Sequence, residues 1–266
     1  MSGLIIGGEI VRVPWLNVRN WFDDARLRIR DGDRRARDTS WVRSILYHMT
    51  RADPLVVTVR PGRGPSTGGI FKVCNAWGTD VDTHAGSHLV VDWDGTIACC
   101  ADLQTEAAYH ATTINDVSIG IEIYQDSDGS VYDWQMRTAT LLGIVLAQRF
   151  GIWRQTQYPY VGEIDRLAAG GNDCVGMFGH RDQTSDRGPG DPGDQIYQYL
   201  RQYGTESFDF SQGADVIEWK NRQTAMNQVL REQGLDEIDV DGVPGPATVA
   251  AYKQIKWLMP LPGDPT

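Results

Sequence analysis

Positive charge is in short supply in this chain. Its 266 residues carry 25 Lys and Arg against 35 Asp and Glu, a formal net charge of −10. That balance argues against a general affinity for nucleic-acid phosphates and against docking on anionic membranes. Long apolar runs are missing too, and no stretch approaches the roughly 20 residues that a membrane-spanning helix needs. Met1 to Pro14 lacks a basic n-region, and Glu9 interrupts its short apolar stretch. It does not read as a signal peptide, so synthesis in the cytoplasm is expected. The four cysteines (Cys74, Cys99, Cys100 and Cys174) form no C-x-x-C pair. Neither a zinc ribbon nor a dithiol redox motif is indicated, and buried thiols in a reducing compartment are expected instead. There is no internal repeat and no low-complexity tract.

What remains is an ordinary globular composition, 41% apolar and 23% charged. The length suits one large domain, or a medium domain with a small one. Residues 1–40 read as an N-terminal extension. There Arg26, Arg28, Arg30, Arg34, Arg35 and Arg37 interleave with Asp23, Asp24, Asp31, Asp33 and Asp38. The signs nearly cancel, which predicts a solvated, salt-bridged surface rather than a binding patch.

From Ser40 onward strands and helices alternate. Ser44 to Tyr47 reads as a short buried strand. Ser87–Trp93 and Thr96–Ala101 flank Asp94-Gly95, a strong hairpin signal. Val117 to Tyr124, rich in Ile and Val, reads as another strand. A helix is predicted from an N-cap at Asp133 to Gly151, with Met136, Leu142, Val145, Leu146 and Phe150 at helical spacing. A second is predicted over Asp194 to Tyr203. This mixture predicts an α/β domain over 41–203, built on a mixed β-sheet flanked by helices. Residues 204–214 read as a polar linker with glycine near each end. Residues 215–266 read as a small helical module, with Val216, Trp219, Gln223, Met226 and Leu230 on one stripe.

The chemistry concentrates in Gly179-His180-Arg181-Asp182 and Asp191-Pro192-Gly193. An imidazole and a carboxylate eleven positions apart share a Gly/Pro-rich loop that can bend both toward one point. Zinc takes such donors, and a catalytic site uses three protein ligands with a fourth position open to water. His48, after the apolar Ile45-Leu46-Tyr47, is the best third donor. A single histidine is more often structural than ligating, and Asp-Pro-Gly alone would be a turn. Core packing, however, does not require both on one loop. His84 and His88 imitate an H-x-x-x-H pair, but Ala85 stands where a metalloprotease needs Glu, and Gly86 argues against a helix. His88 therefore reads as a buried structural residue. Glu122 sits in an apolar strand where Ser118, Gly120, Glu122 and Tyr124 share a face. That face either is solvated or lines a cleft, where a carboxylate could take a proton from water.

Four segments occur in a telling order: Ser44-Ile-Leu-Tyr-His48-Met-Thr50, Ala107-Ala-Tyr-His110-Ala111, Asn115-Asp-Val-Ser-Ile-Gly-Ile-Glu122, and Gly179-His180-Arg-Asp182 followed by Asp191-Pro-Gly193. Together they resemble the zinc-dependent N-acetylmuramoyl-L-alanine amidases, a group related to peptidoglycan recognition proteins and phage lysozyme-type amidases. The resemblance covers about residues 41–203. It implies a mixed sheet flanked by helices with Zn2+ in a groove, held by His48, His180 and Asp191. It also implies Glu122 as the catalytic carboxylate, with His110 and Asn115 lining the substrate groove. Relatives often carry Lys two residues before the ligand Asp. This chain has Pro189 there, and Arg187 is the nearest cation that could steady an oxyanion, although a guanidinium is not a positional copy of an ammonium.

The segment Val240-Asp-Gly-Val-Pro-Gly-Pro-Ala-Thr248 is similar to loops of small three-helix peptidoglycan-binding modules. A calcium loop starting at Glu237 is the rival, but its twelfth position is Thr248 rather than a bidentate Glu. The resemblance thus implies a phage endolysin type of enzyme, kept in the cytoplasm until it reaches the host wall, with peptidoglycan as its partner. Two alternatives stay open. One is a non-catalytic peptidoglycan receptor, and the other is a zinc peptidase cutting within the stem peptide.

Overall fold

The computed structural model describes residues 2–37, 42–51, 57–79, 85–152, 155–157, 176–183, 190–202, 206–208 and 246–255, with parts of 223–240. Four short strands come first: β1 (Leu4–Ile6), β2 (Glu9–Val11), β3 (Val18–Asn20) and β4 (Arg34–Ala36). They are followed by β5 (Ser44–Met49), β6 (Val59–Arg60), helix α1 (Gly69–Thr79), β7 (Leu89–Val91), β8 (Ile97–Cys99), β9 (Glu106–Ala108) and β10 (Ser118–Ile123). The later elements are β11 (Val131–Tyr132), α2 (Asp133–Phe150), β12 (Gln155–Gln157), β13 (Gly176–Gly179), α3 (His180–Gln183), α4 (Gln195–Gln202), β14 (Glu206–Phe208) and α5 (Pro246–Ile255).

Eight strands make one sheet in the order β14-β12-β13-β5-β10-β7-β8-β3. It is parallel except where β8 runs against β7. This is the mixed sheet flanked by helices that the sequence predicts. Asp94-Gly95 forms the β7–β8 turn, and Gly95 takes a φ of +79° that a side chain would resist.

Side chains alternate between the two faces of a strand. Ile45, Tyr47 and Met49 of β5 and Ile119, Ile121 and Ile123 of β10 share one face. Met136, Ala139, Leu142 and Leu146 of α2 join them in the largest apolar cluster. Ser44, Leu46 and His48, in register with Ser118, Gly120 and Glu122, turn the other way. There Leu46 packs on Ala111, Ile114 and Val117. The functional residues therefore stand on a sheet whose back is fully packed, a rigid base for a site.

The helix over 133–150 is found, but Tyr132 rather than Asp133 is its N-cap residue. Asp133 instead lies in the first turn, where its charge suits the helix dipole and pairs with Arg137 at 2.9 Å. Gln135 ties this helix to the sheet by donating to Val91 O and Tyr124 O. The β5 strand runs two residues beyond Tyr47, so His48 lies inside it.

Residues 2–37 are built into this fold. Leu4, Ile5 and Ile6 enter the main apolar cluster, and β3 forms one edge of the large sheet. Their charges pair: Arg28 and Arg34 both reach Glu106, at 2.6 and 2.5 Å. They are not uniformly solvated, because Asp33 is buried against Arg30, and buried Arg37 donates to Ser118 O and Leu103 O. Asp102 secures the β1–β2 turn by accepting from Gly7, Gly8, Gln104 and Thr105 amides at 2.6–3.0 Å. Burial pushes its pKa up, but these donors outweigh burial and hold it below the usual carboxylate value of 3.8. The stability it contributes is present above that value and is lost as pH falls through the lowered one. Asp102→Ala should cost about 2–3 kcal/mol in denaturant titrations at pH 7, with a shrinking difference toward pH 3. An equal loss at both pH values would show that the charge is irrelevant.

Among the described residues no helix is long and apolar enough to cross a membrane. The linker at 204–214 lies outside the described residues apart from β14. Of the C-terminal segment, α5 and parts of 223–240 are described. There buried Thr248 accepts from Gln223 at 3.2 Å and Glu237 pairs with Arg231, so both calcium-loop positions have protein partners.

Candidate metal and catalytic site

Three elements deliver the side chains of a cluster that could hold a metal ion. The first is β5, which carries His48 as its penultimate residue. The second is β13, the neighbour of β5 in register Gly179↔Tyr47, so His180 emerges at the same end of the sheet as the first residue of α3. The third is the loop bearing Asp191, bound to β5 through Met49 N→Oδ1 at 3.0 Å and to α3 through Arg181 N→Asp191 O at 2.6 Å. A side chain at Gly179 would collide with Tyr197 Oη and Pro192, so its absence lets this loop close over the strand end.

His48, His180 and Asp191 are all buried, and one donor atom from each lies within 4.8 Å of the others. His48 Nδ1 is 3.6 Å from Asp191 Oδ1, and His180 Nδ1 is 3.1 Å from Oδ2. A tetrahedral ion with bonds of 2.0–2.2 Å spaces its donors by about 3.3 Å, so the set fits zinc. Burial raises the Asp191 pKa, but the close His180 imidazole at 3.1 Å and then the neighbouring His48 ring outweigh it and hold the group well below the usual carboxylate range. A carboxylate that stays ionised beside two imidazoles is the charge state a divalent cation needs.

Glu122 is the register partner of His48 in the parallel β10–β5 pair and lines the same cleft, which encloses about 740 Å³. Of the face shared by Ser118, Gly120, Glu122 and Tyr124, Glu122 and Tyr124 line the cleft, while Ser118 and Gly120 are covered by the His110 ring. His110 and Asn115 line the cleft as well. Asn115 Oδ1 accepts from the His110 and Ala111 amides at 2.9 and 2.7 Å, so it also holds the loop that carries His110. Burial, and then the charges of His48, His88, His180 and Arg37, push the His110 pKa well down, so its ring is neutral near pH 7. Arg187 and Pro189 lie outside the described residues, as does His84.

His88 is the structural residue its sequence context predicts. It is fully buried, its Nδ1 accepts from Gly120 N at 3.1 Å, and its Nε2 lies 3.0 Å from Glu106 O. Two residues without a role in the sequence reading prove important. Ser118 meets His110 Nε2 at 3.1 Å, and Gly120 lies directly beneath that ring. A Cβ on Gly120 would come within 2.7 Å of His110 Cγ and 2.5 Å of Ser87 Oγ. A glycine inside an Ile-rich strand is itself the signal of such a close approach. Gly120→Ala should displace His110 and weaken metal uptake while α2 and its apolar cluster stay folded. Unchanged uptake in a chelator-competition titration would show that the ring has room to move.

Residues 39–194 match the family Amidase_2, described as N-acetylmuramoyl-L-alanine amidase. No curated protein matches the chain in sequence. Similar solved structures include the N-acetylmuramoyl-L-alanine amidase LysC from Clostridium intestinale, at 16% identity and TM-score 0.39, covering 71% of this chain and 99% of that one. Another is the Staphylococcus aureus hydrolase AmiA, at 17% and 0.42, covering 72% and 84%. A third is the Drosophila peptidoglycan recognition protein SD, at 13% and 0.47, covering 73% and 98%. Matched over more than half of its length, with the buried histidines and aspartate inside the matched span, this chain belongs to the Amidase_2 family of N-acetylmuramoyl-L-alanine amidases.

Proposed function

We propose that the protein is a zinc-dependent amidase that hydrolyses the bond between the lactyl group of N-acetylmuramic acid and L-alanine in bacterial peptidoglycan. The convergence of His48, His180 and Asp191 at one end of the sheet, with Glu122 beside His48, carries this reading. Zinc held by these three residues supplies a Lewis acid for the scissile carbonyl and lowers the pKa of water in the site. Glu122 accepts the proton that the attacking water loses. It then returns a proton to the departing L-alanine amine, so the same carboxylate serves as base and acid. His110 and Asn115 shape the cleft wall on the substrate side, and Arg187 is the cation proposed to steady the oxyanion.

Residues 215–266 are proposed as a wall-binding module on a linker at 204–214, raising local enzyme concentration on a polymeric substrate. The amidase unit is proposed to comprise 41–203 together with residues 2–37 and β14, which supply the two edge strands of its sheet. A lytic enzyme of the endolysin type, made in the cytoplasm and acting on the host wall after release, fits these parts. Deleting 215–266, which leaves β14 in the sheet, should weaken binding to purified walls more than hydrolysis of a small soluble muropeptide. Equal losses on both substrates would leave no anchoring role for the module.

The enzyme reading is tested by labelling new amino termini after digestion of purified peptidoglycan. Newly exposed L-alanine amines, appearing with zinc and absent after chelation, are expected. Tight wall binding without any such amines would favour the receptor. New amines on other stem residues would favour the peptidase.

A further inference from the structure

His110 lines the cleft, yet both nitrogens of its ring are engaged inside the protein. Nδ1 lies 3.0 Å from His48 Nε2, and Nε2 lies 3.1 Å from Ser118 Oγ. Ser118 Oγ in turn lies 2.6 Å from Ile114 O. A carbonyl has no proton to give, so the Ser118 hydroxyl proton must point at Ile114. Ser118 then accepts from His110, which places the His110 proton on Nε2. A neutral ring protonated there has its lone pair on Nδ1 and accepts from His48 Nε2–H. His48 is left with its own lone pair on Nδ1, the atom facing Asp191 at 3.6 Å. That separation is too long for a hydrogen bond and suits two donors flanking one cation.

We propose that His110 is a positioning residue, which locks His48 in the tautomer that presents Nδ1 to the metal, with Ser118 and Ile114 setting the direction of the chain. This rests on the zinc-amidase reading above. Every link is enclosed: His48, His110 and Ser118 are all buried, at 4%, 8% and 0% exposure. The backbone beneath His110 is fixed by Asn115, and its ring lies on Gly120 because no Cβ intervenes. A ring flip of His48 would forfeit the bond to His110 and turn Cδ2, which cannot ligate, toward the metal position. Ligating histidines commonly give their second N–H to a carboxylate or a carbonyl. A neutral imidazole in that place orients the ligand without adding negative charge near the site.

The test uses the full chain loaded with zinc. Long-range proton–nitrogen NMR of His48 should show the proton on Nε2 and the metal on Nδ1. His110→Phe keeps a ring but removes the acceptor, and zinc affinity in competition with a chromophoric chelator should fall about 10- to 100-fold. His110→Asn, whose Oδ1 occupies nearly the place of Nδ1, should recover most of that loss, which a merely space-filling role would not produce. Ser118→Ala should shift affinity in the same direction by less, and it serves if the Phe variant does not fold. Coordination of His48 through Nε2, or a folded His110→Phe with zinc affinity within about twofold of wild type, overturns the proposal. A wild-type protein that takes up no zinc defeats the amidase reading along with it. Zinc uptake with the opposite tautomer defeats this proposal alone.

Discussion

Glu122→Gln should bind zinc as tightly as the wild type and lose roughly 10²- to 10⁴-fold in kcat, the usual contribution of a positioned proton acceptor. The substitution preserves size and leaves the β10 backbone pairing with β5 and β7 intact, so the fold is not at stake. What disappears is the proposed proton acceptor beside His48 in the cleft. Zinc content and amine release, measured on one preparation, separate the two roles. A variant with full zinc and near-normal turnover would assign proton transfer elsewhere. Loss of zinc and turnover together would mean that Glu122 belongs to the metal set.

The second large effect concerns removal of the metal. A ligand that binds only the folded chain stabilises it by about 4 kcal/mol at a thousandfold excess over its dissociation constant. For a chain of this size that corresponds to a rise of roughly 10 °C in Tm. Chelation should therefore lower Tm by about that much and abolish amine release, and added zinc should restore both. The three donors come from β5, from the start of α3 and from the loop at Asp191, so a bound ion joins segments far apart in sequence. A chelated protein with unchanged Tm and undiminished release would leave the cluster without a metal role.

Much of the site was legible because its chemistry sits in compact segments. His180 and Asp191 share one Gly/Pro-rich loop, and His48 follows an apolar run that could hardly be anything but a buried strand. Alternation also revealed that Ser118, Gly120 and Glu122 share a face. It could not say whether that face met water or a cleft, because the answer depends on the loop of His110 and on α1 packing over it. The linkage from His48 through His110 to Ser118 was hidden for a similar reason. Sixty-two positions separate the first pair, and nothing local to either residue encodes their contact.

The amino-terminal strands escaped reading because each is three residues long, shorter than any periodicity can register. Their burial also involves Asp33 and Arg37, residue types that normally mark a surface, and only their partners explain it. The first residue of α2 was misplaced by one because an acid in the first turn satisfies the dipole as well as a cap would. By contrast the Asp94-Gly95 turn was readable, since its constraint is local and demands a positive φ.

Three side chains holding one cation remain the centre of the proposed mechanism, and native mass spectrometry of zinc-repleted protein tests them most directly. The wild type should carry a single zinc per chain, and His48→Ala, His180→Ala and Asp191→Ala should each appear without it while retaining the mass and charge-state distribution of a folded chain. Zinc retained in full by any one of the three, or absent from the wild type, would contradict that convergence.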